Sequence, residues 1–375
     1  MTLRTSEQST AFEAFIESVY RLDGVDQIVA TIGTLQIPLP YKVRIKILFS
    51  ELEPRSYFET LATGPSESIS QFGAGFETRI LVGRPIPRTV RSHFFLVRFP
   101  NLSHHVEALV SICTADQWRT ITRICRDAYP KLAPINLSQT ELLGCAKKLK
   151  HYKEYSVRVK AFSASSRIRS ASTRSRKSIR EWTDEDLDKV SKDVRERGLV
   201  LNSMDLEFFP SVGGVDHVIP RATGTIRRSG ELSVTGSFDV VFEAVAEEVA
   251  RIGLKKLEFL SGRGLRESSY TPRPLSIEFN SRIFDDLENV RSFVTAVRKY
   301  PKSMHAVLHG NPYAHIKLVD ILDRSSFELW VIPPKRIALI PGIRATGPAF
   351  DRLVAYLFDK VREGQLQDYG VTRQG

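Results

Sequence analysis

The chain predicts an α+β fold with antiparallel sheets. Three times, strands of alternating apolar residues arrive as a hairpin or meander and run straight into an amphipathic helix: near 93–128, near 223–252 and near 314–362. Clustered strands followed by helices build antiparallel sheets, whereas regular strand–helix alternation builds a doubly wound parallel one. Between the first and second clusters lies a serine- and arginine-rich stretch without one acidic residue, which predicts two domains joined by a basic segment. The expected division is an N-terminal α+β domain over 1–156, a basic linker over 157–180, a C-terminal α+β domain over 181–364 and a loose polar tail over 365–375.

Each element has a local reason. Thr10 caps a helix over 10–22 whose inner face is Phe12, Phe15, Ile16 and Val19, and Gly24 closes it. From Tyr41 to Phe49 the residues alternate, Val43, Ile45 and Ile47 against Lys42, Arg44 and Lys46, which predicts a half-buried strand with a cationic outer face. Glycines and prolines punctuate 53–92, so loops and one or two short strands are expected there. HFFLVRF and HVEALVSI make a hairpin over 93–112. Thr114 to Gln117 fits a capping box for the helix carrying Trp118, Ile121, Ile124 and Cys125, and Ser138 to Glu141 opens a second one.

In the second half, Thr183 caps a helix from Asp184 to Arg197, and LVLNSMDLEFF over 199–209 is a strand. Ser229-Gly230 turns a hairpin over 223–235, and Ser237 caps a helix from Phe238 to Ile252 that Gly253 should end. PLSIEF over 274–279 is a strand, and 285–300 a helix. The meander over 314–340 follows, then a helix with Pro348 in its first turn.

With 375 residues, 54 Lys and Arg stand against 43 Asp and Glu, a net charge of +11. Such a surplus favours polyanionic partners: nucleic acid, an anionic surface or an acidic protein. Three cysteines without a CxxC pair predict buried thiols in a reducing compartment, not a disulfide framework or a zinc site. No apolar run is long enough for a signal peptide or a membrane span, so a cytoplasmic protein without a membrane partner is expected.

The candidate polyanion contacts are Arg158, Lys160, Arg167, Arg169, Arg174, Arg176, Lys177 and Arg180 in the basic segment, with Lys42, Arg44 and Lys46 on the strand. Cations in reach of successive phosphates release counterions together, and arginine-rich segments order on binding. The leading expectation is thus a non-catalytic binding or assembly subunit whose polyanion is nucleic acid, DNA or RNA, with no cofactor. A structural partner of an acidic protein is a further alternative.

A rival from another class is a phosphodiesterase or nuclease centred on His305, His309 and His315, with Asp320 beside them and a divalent metal as possible cofactor. The residues match no zinc signature. His315, Lys317 and Asp323 miss the HxKxxxxD spacing of phospholipase D-like phosphodiesterases by one residue. There is no GxxxxGK[ST] loop and no GxSxG elbow. The simplest account of the histidines is hydrogen-bonded residues at the mouth of a hairpin.

Overall fold

The computed structural model is α+β, with helices and two antiparallel sheets. It describes residues 2–63, 68–82, 87–149, 151–152, 155–166, 178–179, 192, 194, 196, 199–210, 220–264, 272–309, 313–342 and 344–369. Two compact units emerge. One holds chiefly Met1–Ser165 and Leu201–Ile252, the other chiefly Gly253–Gly375, with short pieces from 166–200 divided between them.

The elements of the first unit, in chain order, are α1 (Thr2–Tyr20), α2 (Val25–Thr34), β1 (Lys42–Phe49), α3 (Pro54–Thr63), β2 (Ile69–Phe72), β3 (Gly75–Val82), β4 (Arg88–Arg98), β5 (Val106–Cys113), α4 (Ala115–Asp127), β6 (Ala133–Pro134), α5 (Gln139–Leu149), β7 (His151–Tyr152), β8 (Tyr155–Ser166), β9 (Ser178–Ile179), β10 (Leu199–Pro210), β11 (Ala222–Arg227), β12 (Glu231–Gly236) and α6 (Phe238–Val241). They form one large sheet, ordered β2-β3-β4-β5-β1-β12-β11-β10-β8-β7, with β6 on β1 and β9 on β8.

The pairing of β1 with β12 explains why the units divide where they do. Strands after the basic stretch return to the sheet begun before it, so a cut at 157–180 would sever a continuous ladder. Residues 155–166 are a strand of that sheet and not a linker.

Both capping boxes form. Thr114 Oγ1 accepts from the Gln117 amide at 3.4 Å while Gln117 Oε1 accepts from the Thr114 amide at 2.9 Å. Ser138 and Glu141 repeat the exchange at 3.1 and 2.6 Å. On one side of the sheet α3 and α4 bury Phe58, Phe76, Phe94, Leu96, Trp118 and Cys125 together. On the other side Tyr20 of α1 packs edge-on against Phe95 and accepts a hydrogen bond from the Ile112 amide at 2.9 Å. All three cysteines are free and buried.

Several local expectations need correcting. Gly24 does not simply close the first helix but is the N-cap of a second, α2, that buries Ile28 and Ile32. The stretch 53–92 holds a helix and long strands, not mainly loops. After α6 a π-helical turn, Phe242–Ala246, leads into α7 (Glu247–Leu260), which passes straight through Gly253. Only Lys192, Val194 and Glu196 of the helix expected over 184–197 are described, and all three are helical.

In the second unit, β13 (Leu275–Phe279), α8 (Leu287–Arg298), β14 (Ser303–His309), β15 (His315–Asp320), β16 (Ser326–Ile332), β17 (Arg336–Pro341), α9 (Gly347–Lys360) and β18 (Gly364–Asp368) build a six-stranded antiparallel sheet, ordered β14-β15-β16-β17-β13-β18. Val290, Phe293 and Val297 of α8 and Phe350, Leu353 and Leu357 of α9 close one face of it over Ile277, Leu318, Leu329 and Leu339. The expected loose tail is in part a strand: β18 runs against β13, with Leu366 opposite Ile277.

Candidate polyanion interface

The register of β1, β12, β11 and β10 sorts their residues onto two faces. Ile45, Leu232 and Ile226 stand in one row and Val43, Val234 and Gly224 in the next, all buried or closely covered. A Cβ on Gly224 would lie 3.1 Å from Val241, so α6 lies directly on this apolar face. The opposite face is polar: Arg44 beside Ser233 beside Thr225 beside Asp205, and Glu231 beside Lys46, with Thr223, Thr235 and Glu207 in the adjoining positions. Its hydroxyl residues are half-buried or exposed. β8 extends this face, because Lys160 Nζ reaches Glu207 at 2.8 Å and the Arg158 guanidinium lies over the Phe209 ring at 5.3 Å.

Every carboxylate named on this face is engaged. Asp205 accepts from the Thr225 hydroxyl at 2.7 Å, Glu207 from Lys160, and Glu231 from Lys46 at 2.9 Å. Burial would raise the Glu231 carboxyl, but Lys46, Arg227 and Trp118 together hold it below its ordinary value. Glu207 in turn raises the Lys160 ammonium above its own. Arg158 is exposed, and Arg227, also exposed, is 3.6 Å from Glu231. Arg44 is half-buried, and its Nε has no hydrogen-bond partner among the described residues.

The cationic strand therefore differs from its expectation. β1 lies in the middle of the sheet, between β5 and β12, and its lysine–arginine row is not an outer face. Lys46 is buried at 7 % exposure under the α4 side and is occupied by Glu231, so it is a structural ion pair. Lys42 and Arg44 are half-buried at the margin of the polar face. Arg158 and Lys160 do share that face. Arg167, Arg169, Arg174, Arg176, Lys177 and Arg180 lie outside the described residues; β8 leads into that stretch, and β9 pairs with β8 on its far side, Ala164 opposite Ile179.

Sequence reasoning misses Arg227 and the row of Ser and Thr hydroxyls. Their signal is present in the alternation of Thr223, Thr225 and Arg227, but only the register shows that it continues Arg44 and Arg158. It also passes over exposed Arg119, Arg123 and Arg126 on α4; Asp116 takes Arg119 at 2.6 Å, and Asp127 lies 3.6 and 3.5 Å from the other two.

The histidines do not converge. His309 stands opposite His315, and His315 Nε2 donates to the Glu328 carboxylate at 2.9 Å while its ring lies tilted against Trp330 at 4.3 Å. Burial works against the Glu328 charge, but His315, Lys317 and Trp330 hold its carboxyl below the ordinary value. His305 pairs with Leu318 and so belongs to the other face of the sheet. Asp320, two residues further along, shares the Leu318 face, fully buried, bound by Tyr300 at 3.1 Å and by Arg352 at 2.8 Å. The expected set His305, His309, His315 and Asp320 is thus split between two faces, and no group of three or more metal-ligating side chains is found among the described residues.

No helix among the described residues is long and apolar enough to cross a membrane. Comparison with protein-family models and with curated proteins finds no match for the chain.

Proposed function

We propose that the protein binds a polyanion, most readily nucleic acid, on the polar sheet face spanning β1, β12, β11, β10 and β8. The observation that supports this reading is the composition of that face. Its carboxylates are already neutralised by neighbours, Thr225 and Arg227 among them, while the exposed guanidinium of Arg158, the exposed side of Arg227 and the half-buried Arg44, whose Nε has no hydrogen-bond partner among the described residues, supply the cations for a ligand. Arginine, serine and threonine are the side chains that contact phosphate oxygens, and such contacts position a strand without reading its sequence. The net charge of +11 favours the same class of partner.

Arg158 is preorganised by Phe209, which reduces the side-chain freedom given up on binding. The basic run that follows β8 in the sequence adds further cations, among them Arg167, Arg169, Arg174, Arg176 and Lys177. In this role the protein performs no chemistry of its own: it holds a phosphate backbone and presents it.

The test is fluorescence anisotropy with labelled single-stranded RNA, single-stranded DNA and duplex DNA across a range of salt. Affinity should fall steeply and linearly on logarithmic axes. Replacing Arg158 and Arg227 with Ala should reduce the slope by roughly one for each phosphate no longer neutralised. Replacing Arg174, Arg176 and Lys177 separates the contribution of the basic run. Binding that ignores salt, or no binding to any of the three probes, defeats the reading.

A further inference from the structure

The first unit also holds a cavity of about 480 Å³ on the α1 side of the sheet, away from the polar face. Its volume is in the range of small-ligand pockets. Glu13 and Glu17, one helical turn apart on α1, form one wall. Arg88 and Arg91 of β4 and Asp116 of α4 line it too, and His93 reaches it from β4.

The charges on these walls are not equally occupied. Arg88 is 3.0 Å from Asp116, which also takes Arg119. Arg91 is 3.9 Å from its nearest carboxylate, Glu77, whose oxygens are already held by Arg79 at 2.9 and 3.1 Å. Glu13 accepts one hydrogen bond, from the Tyr41 hydroxyl at 2.6 Å, and among the described residues neither Glu13 nor Glu17 forms an ion pair. Carboxylates and a guanidinium thus line one cavity without closing on each other. An anion alone would face Glu13 and Glu17, and a cation alone would face Arg91. A ligand carrying both charges satisfies both walls.

We propose that this cavity binds a small zwitterion of the free amino-acid or short-peptide class, its ammonium between Glu13 and Glu17 and its carboxylate on Arg91. Carboxylates four residues apart on a helix are neighbours, and an ammonium with three donors bridges such a pair. The guanidinium fork of Arg91 matches a carboxylate with two parallel hydrogen bonds. The His93 imidazole, flanked by Tyr20 at 5.4 Å and Phe72 at 4.8 Å, gives the pocket a rigid floor. This site is independent of the polyanion reading, since it uses none of the same residues.

The experiment is isothermal titration of the full chain with the twenty free L-amino acids and diglycine. At least one should bind saturably. Its N-acetylated form, which lacks the cation, and its amide, which lacks the anion, should each bind at least tenfold more weakly. Glu17→Gln and Arg91→Gln should each lose about tenfold in affinity with the circular dichroism spectrum unchanged. Arg91→Lys, which keeps the charge but not the fork, should recover part of the loss. No binding by any member of the panel, equal binding of a blocked form, or full affinity in both neutral variants overturns the proposal.

Discussion

Lys46 Nζ lies 2.9 Å from Glu231 Oε1 between adjacent central strands, with side chains only 8 % and 17 % exposed. An ion pair so placed offsets the desolvation of its own two charges and adds little net stability, but breaking it from one side is expensive. Lys46→Met should therefore destabilise the protein by about 3 kcal/mol near neutral pH. The pH dependence follows from the sign of the Glu231 shift. With Lys46 present its carboxyl sits below the ordinary 4.5, so its stabilising contribution is present above that value and fades as acid protonates the folded state. Without Lys46, burial dominates and pushes the carboxyl up, so the cost of the substitution should shrink toward pH 4.5. Urea unfolding of both proteins at the two pH values checks this; an equal cost at both would refute it.

Asp320 in the second unit is a similar case with the opposite shift. Burial raises its carboxyl despite the Leu322 amide, Arg352 and Tyr300. Arg352→Met removes the cation that touches this fully buried carboxylate and should cost about 3 kcal/mol. Adding Asp320→Asn, which no longer needs a counter-charge, should recover a large part of that loss. A double variant no more stable than Arg352→Met would mean that the unpaired Asp320 charge is not the source of the loss, and would leave the packing of the arginine over Tyr300 as its cause.

Much of this fold is readable in the chain because its signals are local. Both capping boxes, the alternation of β10, β11 and β12, and Ser229-Gly230 between the last two depend on neighbours in sequence. What is not readable depends on distant partners. The row Lys42, Arg44, Lys46 alternates as an exposed face would, yet β1 has neighbours on both sides and α4 beside it, so Lys46 is buried. β14 and β18 escape sequence reasoning because they are edge strands, and β18 needs only Leu366 for the core while its glutamines face outward. Gly253 does not end a helix whose packing continues beyond it. The candidate face is legible as separate cations on β1 and β8; that residues of β10, β11 and β12 lie between them is a property of the register alone.

Gly230 offers a sharper check of the turn. Its φ of +67° is in the left-handed region, and a Cβ there would lie 2.3 Å from the Ile135 carbonyl oxygen. Gly230→Ala should thus cost about 1–3 kcal/mol, from backbone strain and from the displaced carbonyl. Ser229→Ala, one residue earlier, should be close to neutral. Thermal unfolding of the pair measures the difference, and comparable midpoints would mean that the turn relaxes.

The His93 imidazole is held below its ordinary 6.5 chiefly by burial, against the pull of Glu77 and Glu17 and with smaller contributions from Arg91 and Arg79. These charged groups come from α1, β3 and β4, and β2 adds only the Phe72 ring. A histidine with a lowered folded value binds protons more readily when unfolded, so stability is full above pH 6.5 and declines as pH falls toward the folded value. His93→Phe keeps a ring between Tyr20 and Phe72 and removes the titration. The wild-type chain should lose stability between pH 7 and about pH 5, and the variant should lose less over the same window. Equal slopes would mean that the ring accepts its proton in the folded state, with Glu17 or Glu77 moving to meet it. In that case the floor of the cavity would carry a positive charge under mildly acidic conditions, and zwitterion binding would weaken at its cationic end in step with the protonation.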